Sequence, residues 1–375
     1  MEPRKRKASY HIFLWIAIPL ILYISYVQIN RSEVNDIHFV EVLCIDQQDD
    51  TYTITALYDN AGSKNNDGLQ SIEGTGDSVY TAYTDMSRKN SKDISLDHAD
   101  YFLISENTAK KGLPDCLDFI SREPDLKTNA NIFIVQSDNT NKLLKDAMEE
   151  DFTPSETLNA ISQKETNNLK KPNNTLLQVL NSMDHSYNNL LIPYLVYDNN
   201  TMYLEGYSTF KNQKLYGFLD YNTSLAVDFF RNNLRTYPLE LSRNLNVELS
   251  NINVTPHVSL KNDSLFLKLI VKSDSQIKEA SDAIDIFNPD TLSKMNDLEK
   301  YRLIEQLSKI IRISKRYHLD LLNIGSTLEK QTQSTKLKKN WETYIENLDI
   351  SLSVQSATAK TYTIDTDKQK KTNLS

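Results

Sequence analysis

The sequence predicts an α+β fold, in which a mixed α/β body of about three domains follows one N-terminal transmembrane helix. Three observations predict it: an uncharged apolar run that begins at His11, short segments in which apolar and polar residues alternate, and helical segments between them. Apolar residues make up 39% of the 375 residues, enough to form real cores, and charged residues make up 25%. This composition excludes a disordered or low-complexity chain.

The first element is the apolar run, which we interpret as a retained membrane anchor over residues 11–29. Residues 12–29 contain no Asp, Glu, Lys or Arg, and a helix of this length would span about 27 Å, close to the thickness of the hydrocarbon core. Cations fill residues 4–7, so the positive-inside rule predicts a cytoplasmic basic tail over residues 1–10 and an extracytoplasmic body. A cleaved signal peptide is the alternative, but "YISYVQINRS" lacks the small residues of a cleavage site.

The body behind this run is acidic. The chain has 42 Lys and Arg residues against 50 Asp and Glu residues, and without the first seven residues 38 and 49 remain, a net charge of about −11. A negative surface repels the phosphate backbone of nucleic acids. We therefore expect no nucleic-acid partner.

A mixed α/β domain is predicted over residues 30–184, with a polar linker at its end. "HFVEVLCID" and "DTYTITALYD" alternate around "QQDD", which predicts a β-hairpin, and "DYFLISE" and "ANIFIVQS" are further strands. Ser78 is the expected N-cap of a helix that buries Val79, Ala82 and Met86.

Shorter helices complete this domain. "ENTAKKG" is expected to end at Gly112 in a left-handed cap, and "LPDCLDFISRE" places Pro114 near the first position of the next helix. The polar residues 149–174 predict short helices plus a linker. Cys44 and Cys116 are interpreted as buried free thiols, with a disulfide as the alternative.

The remaining body is divided into a β-rich middle domain at 185–274 and a helix-plus-strand domain at 275–364, with a frayed tail at 365–375. "MYLEGYSTFKNQKLYGFLD" predicts a hairpin, "NVTPHVSL" and "SLFLKLIVK" predict strands, and "DISLSVQSATAKTYTI" predicts one closing strand or two. A long helix is expected from about Leu298 to Leu322. Its apolar stripe, which we expect to pack in the core rather than against a coiled-coil partner, consists of Ile304, Leu307, Ile311, Tyr317 and Leu321.

The sequence predicts no catalytic, cofactor-binding or metal-binding residue and no cofactor. The six histidines have no metal-ligand spacing, no HExxH or CxxC occurs, and "EGTGDS" lacks the Lys of a phosphate-binding loop. His98, between Asp97 and Asp100, could form the His–Asp couple of a hydrolase, but no nucleophile is identifiable beside it.

Two clusters of polar and charged residues could bind an ion, but each also has a simpler explanation without a ligand. The acidic pairs Asp49–Asp50 and Glu149–Asp151 could hold calcium, but solvated charge on polar turns explains them as well. A second set, near two predicted helix ends, could hold an anion, or could instead pair with Asp118 or Glu123. This set consists of Asn107, Lys110, Lys111 and Arg122.

The order of several motifs resembles the C-subunit family of spore germinant receptors, the Ger(x)C proteins. The resemblance runs from about Arg31 to Ile364. It includes "RSEVNDIHFVEVLCID", the "EGTGDS" turn, His98 before a strand, "AKKG", "DFISR", "YLEGYSTF", "HLDLLNIGSTLEK", Trp341 and "LDISLSV". Cys44 stands where the family usually has Gly, and Ser208 replaces a small Ala.

The resemblance implies a non-catalytic receptor subunit rather than an enzyme. Such proteins work beside a multi-spanning A-subunit and a transporter-like B-subunit in the inner spore membrane, where spores respond to small nutrients. No ligand-binding residue can be carried over. Family members are usually lipoproteins with a Cys just behind the signal, whereas the first Cys here is Cys44, which agrees with an anchor helix in place of the lipid.

Two other functions remain as alternatives. One is an extracytoplasmic small-molecule-binding module that captures the nutrient germinant itself, which would need a concave pocket with convergent polar groups. The other is a surface hydrolase that uses His98.

Overall fold

The structure is a computed structural model that describes residues 15–20, 37–59, 69–123, 126–136, 140, 143–144, 148, 153–183, 187–198, 201–261, 264–281, 288–332 and 340–358. Its secondary structure confirms the mixed α+β fold. The strands are β1 (Ile37–Gln48), β2 (Thr51–Asp59), β3 (Leu69–Gly76), β4 (Asp93–Ser95), β5 (Tyr101–Ser105), β6 (Asn131–Val135), β7 (Leu191–Asp198), β8 (Thr201–Lys211), β9 (Lys214–Leu219), β10 (Tyr237–Ser242), β11 (Leu245–Lys261), β12 (Ser264–Ala280) and β13 (Asp349–Thr358). The helices, numbered here in chain order, are α1 (Val79–Lys89), α2 (Glu106–Lys111), α3 (Pro114–Arg122), α4 (Pro154–Asn168), α5 (Leu176–Met183), α6 (Tyr221–Phe230), α7 (Pro289–Tyr317), α8 (Ile324–Thr332) and α9 (Trp341–Glu346).

The larger sheet has nine strands among the described residues, in the order β3-β2-β1-β5-β6-β7-β8-β9, with β4 paired to β1. Its centre, β1-β5-β6-β7, is parallel, and an antiparallel meander flanks it on each side. The central strands are buried on both faces, which is why their sequences are nearly continuous apolar runs. In β1, for example, Leu43 and Ile45 face one core, while Val42 and Cys44 face the other.

The smaller sheet has the order β10-β11-β12-β13 and packs with α6, α7, α8 and α9 around a third core. β10, β11 and β12 are antiparallel, and β13 joins β12 in parallel after a crossover whose described part contains α7, α8 and α9. The strands predicted at "NVTPHVSL" and "SLFLKLIVK" are confirmed and extend to 17 residues each.

Local signals fix the helix ends. Ser78 caps α1 as predicted, in a capping box with Thr81, and Val79, Ala82 and Met86 are buried. Pro114 is confirmed in the first turn of α3. The left-handed cap at Gly112 is wrong: its φ of 143° is positive, but its ψ of 152° is extended, because Leu113 N leaves the helix to donate to Gln213 O at 3.1 Å.

Two helix predictions need further correction. In the described part of this stretch, residues 153–174, the structure has one 15-residue helix, α4, where short helices were expected, and behind it Leu169 and Thr175 form isolated bridges to Leu234 and Asn131. The long helix begins at Pro289, not near Leu298, because Asn288 caps it, and it ends at Tyr317 before His318 turns left-handed at φ 58°. Leu307 and Ile311 are buried as predicted, but Ile304 is 40% exposed and Leu321 lies beyond the helix.

The predicted anchor at 11–29 falls almost entirely outside the described residues, of which 15–20 are helical. In the part of the chain that the structure describes, no helix combines the length and apolar character needed to cross a membrane. The tail at 365–375 also lies outside the described residues.

The sheet arrangement does not settle whether the chain divides into the three predicted domains. β7, β8 and β9 follow the expected boundary after residue 184, yet they belong to the same sheet as β1, β5 and β6. The three-domain division therefore stays a prediction.

Candidate functional site

The residues that the sequence singled out for chemistry do not form a catalytic group in the described structure. His98 is exposed and packs edge-on against the ring of Phe39, with ring centroids 4.9 Å apart. Asp100, one of the two acids that flank it, accepts from Lys127 Nζ at 2.7 Å. Within the described residues no hydrogen bond or ion pair joins His98 to Asp97 or Asp100, so the structure does not show the His–Asp couple.

Two of the four residues of the candidate anion site, Lys110 and Arg122, form ion pairs with carboxylates of their own helices. Lys110 pairs with Glu106 at 2.7 Å, and Arg122 donates to both carboxylate oxygens of Asp118 at 2.8 Å. The simpler interpretation, in which Asp118 pairs with one of these cations, is confirmed. Both pairs join residues one helical turn apart, so they support α2 and α3 rather than a ligand.

Metal-ligating residues do not cluster in the described parts of the chain: no group of three His, Cys, Asp or Glu side chains there could hold an ion. Asp49 lies in the tight β1–β2 turn at φ 49°, and Glu149 and Asp151 lie outside the described residues. Cys44 and Cys116 are confirmed as buried free thiols in cores on opposite faces of the larger sheet. Burial raises the pKa of the Cys116 thiol to about 12, so this thiol is inert at neutral pH.

A buried polar network joins α6 to the segment behind α4. Asp228 is only 3% exposed, and its carboxylate accepts from Tyr207 Oη at 2.6 Å, from Asn173 Nδ2 at 3.0 Å and from Asn233 Nδ2 at 3.3 Å. Burial raises the pKa of Asp228, while these donors oppose the shift. The network is satisfied internally, which favours a structural role.

A second acid, Glu165, lies near this network and interacts electrostatically with Asp228. It lies on the inner side of α4, and one carboxyl oxygen is buried without a hydrogen-bond partner among the described residues. Burial, followed by repulsion from Asp228, raises its pKa to about 8. Glu165 is therefore mostly protonated at neutral pH.

A second polar hub ties the end of α7 to α6. The Arg231 guanidinium donates to the carbonyl oxygens of Leu321 at 2.7 Å and of Asp320 and Asn189 at 3.3 Å. The fully buried Asp320 carboxylate accepts from Ile324 N at 2.6 Å and Gly325 N at 2.8 Å, so it caps the start of α8.

Three residues of the "HLDLLNIGSTLEK" and Trp341 motifs lie against Tyr187, whose side chain is buried. Asp320 N donates to Tyr187 O at 3.2 Å, and Trp341 packs edge-on against the ring at 5.1 Å between centroids. A Cβ on Gly325 would lie only 2.6 Å from Tyr187 Cδ1. These motif residues therefore serve core packing rather than ligand binding.

One ligand-like feature is a polar cleft of about 420 Å³ between α4 and the first residues of β5 and β6. Five carboxamides line it: Asn129, Asn131, Asn159, Gln163 and Asn167. Carboxamides both donate and accept hydrogen bonds, so such a wall suits a small polar molecule. The cleft lies at the amino ends of the parallel strands, whereas open α/β sheets usually bind ligands at the carboxyl ends.

Sequence reasoning missed both polar hubs and the cleft. Tyr207, Asn173 and Asp228 are separated by 21 to 55 positions along the chain, and Arg231 reaches across 90 positions to Leu321. No spacing rule reports such contacts. The carboxamides on α4 stand at helical spacing, which was a visible signal of one polar face.

Two family models match the chain and together cover most of the body. A model described as the spore germination protein N-terminal domain matches residues 30–197, and one described as spore germination B3/GerAC like, C-terminal, matches residues 205–361. No curated protein sequence matches the chain.

A solved structure shares the fold. The crystal structure of the GerBC protein superimposes with a TM-score of 0.57 at 14% identity, over 85% of this chain and 97% of that chain. At this identity the likeness concerns the fold alone. It agrees with the α+β architecture described above.

Proposed function

Because this chain belongs to the GerAC-like family of spore germination proteins, we propose that it is a non-catalytic subunit of a spore germinant receptor, needed for nutrient-triggered germination. The observation that carries the proposal is the pair of consecutive family matches, which cover residues 30–197 and 205–361. Its partners are the A- and B-subunits of the same receptor, and it does no chemistry of its own.

We further propose that residues 11–29 form a single-pass anchor in the inner spore membrane, with the body on the extracytoplasmic side. The support is the uncharged apolar run behind the cations at residues 4–7. One transmembrane helix holds a protein to the bilayer far more firmly than a single acyl chain does.

The test is dipicolinic acid release from spores that lack this chain, challenged with a panel of nutrients and complemented with the full-length protein. We expect loss of the response to some nutrients, while germination by calcium–dipicolinate stays normal. His98→Ala should complement fully, since the proposed role needs no catalyst. An unchanged response in spores that also lack every other receptor operon would contradict the proposal.

A second candidate function is capture of the germinant itself, and the carboxamide cleft favours it. The probe is the nutrient that the deletion identifies, titrated calorimetrically into the purified full chain. Asn131→Ala with Asn159→Ala should weaken binding at least tenfold, while Lys164→Ala, on the exposed side of α4, should not. No heat of binding at millimolar nutrient would exclude this second function.

A further inference from the structure

The two edges of the smaller sheet differ in how they are protected against pairing with another strand. β10 is six residues long, contains Pro238 and has a register irregularity between Glu240 and Ser242. Short length, Pro and bulges are the usual devices that prevent strand addition at an edge.

The opposite edge, β13, has none of these devices. It is ten residues long, contains no Pro, Lys or Arg, and pairs with β12 without a register shift from Asp349 to Thr358. Among the described strands β12 is its one neighbour. Its outer edge has no strand partner among the described residues, so backbone N–H and C=O groups on that side can pair with a further strand, although Ile350 N also donates to Asp349 Oδ1 at 2.8 Å.

An apolar groove of about 500 Å³ runs beside this edge, between β13 and α7. Ile350 and Leu352 of β13 line one wall, and Ile304 and Ile311 of α7 line the other. Leu307 also lines the groove, and both Leu307 and Ile311 belong to the buried stripe of α7, together with Leu303 and Ile310. The groove is thus the open margin of the third core, where Ile304 remains 40% exposed, and Tyr301, at 63% exposed, extends this margin by about one turn of α7.

The charge of the groove indicates what fits it. Its two ionisable lining residues, Arg312 and Lys315, are both cations, on a chain whose net charge is −8. Within the described residues neither forms an ion pair with a carboxylate, unlike Arg302 and Lys309 on the same helix. An acidic occupant would therefore gain two attractions without breaking existing pairs.

We propose that the β13 edge and this groove receive an extended segment of another receptor subunit by β-strand addition. The segment adds a strand to β13, places apolar side chains at alternate positions into the groove, and carries acidic side chains opposite Arg312 and Lys315. This inference rests on the proposed function, because it names the surface through which the subunit binds its partners.

Two other occupants fit the charge less well. A second copy of this chain would bring the same two cations into a twofold interface, where identical patches meet. Residues 359–375 contain four Lys against two Asp, so this segment is also basic. Both occupants are nevertheless distinguishable outcomes of the experiment.

The experiment places a single accessible thiol on the edge in spores that contain the whole receptor. Gln355→Cys lies on β13, and Glu240→Cys on β10 is the matched control, since both positions are exposed on edges of one sheet and the native thiols are buried. A short thiol-to-amine crosslinker should join Cys at position 355, but not at 240, to the A- or B-subunit. A crosslink to residues 359–375 of the same chain, or to a second copy, would overturn the proposal.

A charge reversal tests the acidic partner. Arg312→Glu with Lys315→Glu should lower the amount of A- or B-subunit recovered with this chain at least tenfold. Lys294→Glu with Lys300→Glu changes the net charge equally, at exposed positions of the same helix, and should have little effect. Because acids near a helix C-terminus destabilise it, Arg312→Gln with Lys315→Gln provides a milder variant, which should give an intermediate loss at an unchanged melting temperature.

These outcomes separate the inference from the proposed function. Normal recovery of the other subunits with both reversed and control variants would refute the docking surface and leave the receptor role intact. If the unmodified chain recovers neither subunit, and spores that lack this chain germinate normally, both the docking surface and the receptor role would be refuted.

Discussion

Glu165 shows at the scale of one residue how burial changes ionisation. Its carboxyl lies in a polar interior beside Asp228, and its pKa is raised to about 8 by burial and by that neighbouring charge. In the unfolded chain the same group titrates near 4.5. Between these two values the folded chain holds a proton that the unfolded chain releases.

The free energy of unfolding should therefore fall as pH rises from about 5 to 8, by up to about 1.4 kcal/mol per pH unit from this one group. Glu165→Gln keeps a neutral side chain of similar shape and should remove that part of the slope. We expect the variant to match the native chain near pH 5 and to exceed it by about 3–4 kcal/mol near pH 8.5, which is that slope summed over the interval. Urea unfolding at five pH values measures this, with exposed Glu156→Gln as the control; equal slopes for all three proteins would contradict it.

Gly325 illustrates a second residue-scale constraint, close approach of a ring to the backbone. Gly325→Ala would place a Cβ 2.6 Å from Tyr187 Cδ1 and 2.7 Å from Cγ. Although Ala favours a helix over Gly by about 1 kcal/mol, the displaced ring should lower the free energy of unfolding by about 1–3 kcal/mol.

The matched control for this change is Gly217→Ala, whose new Cβ would meet Thr209 Oγ1 at an ordinary 3.9 Å. Thermal melts of both variants check the prediction. A Gly325→Ala protein as stable as the Gly217→Ala protein would show that Tyr187 moves aside without loss.

At the scale of elements, the cap of α1 is the most local interaction to test. Ser78 Oγ accepts from Thr81 N at 3.1 Å, and Thr81 Oγ1 accepts from Ser78 N at 2.9 Å. Ser78→Ala should lower the free energy of unfolding by about 1 kcal/mol. Thr84→Ala, at an exposed position inside the same helix, should change it by less than about 0.5 kcal/mol; similar losses for both variants would argue against the cap.

Elements whose signals are local could be predicted from the sequence. The hairpins β1–β2 and β8–β9, the cap at Ser78 and the Pro114 start all follow from alternation, turn residues and capping chemistry. The start of α7 was missed even though Asn288 and Pro289 are a cap and a first-turn residue, because apolar periodicity is weak before Leu298. Sheet membership of β7 to β9 and the hubs at Asp228 and Arg231 depend on contacts between distant positions, which one sequence does not report.

At the scale of the whole molecule, the anchor and the body should be separable. Removal of residues 1–29 deletes no described strand and no described core residue. We expect the shortened chain, directed outside by a cleavable signal, to fold with an unchanged melting temperature. It should leave the membrane fraction in alkaline carbonate, whereas the full chain should stay; release of the full chain would contradict the anchor.

The parallel pairing of β12 with β13 also sets an order for biosynthesis. All nine described strands of the larger sheet have been made at residue 219, but the smaller sheet waits for residues 349–358, after the crossover helices α7, α8 and α9. During that interval β12, a 17-residue strand, has an open side while the chain is still being synthesised. A premature stop codon before residue 349 would thus leave a finished first sheet joined to a second with a permanently open edge, a product suited to aggregation and to removal by quality-control proteases.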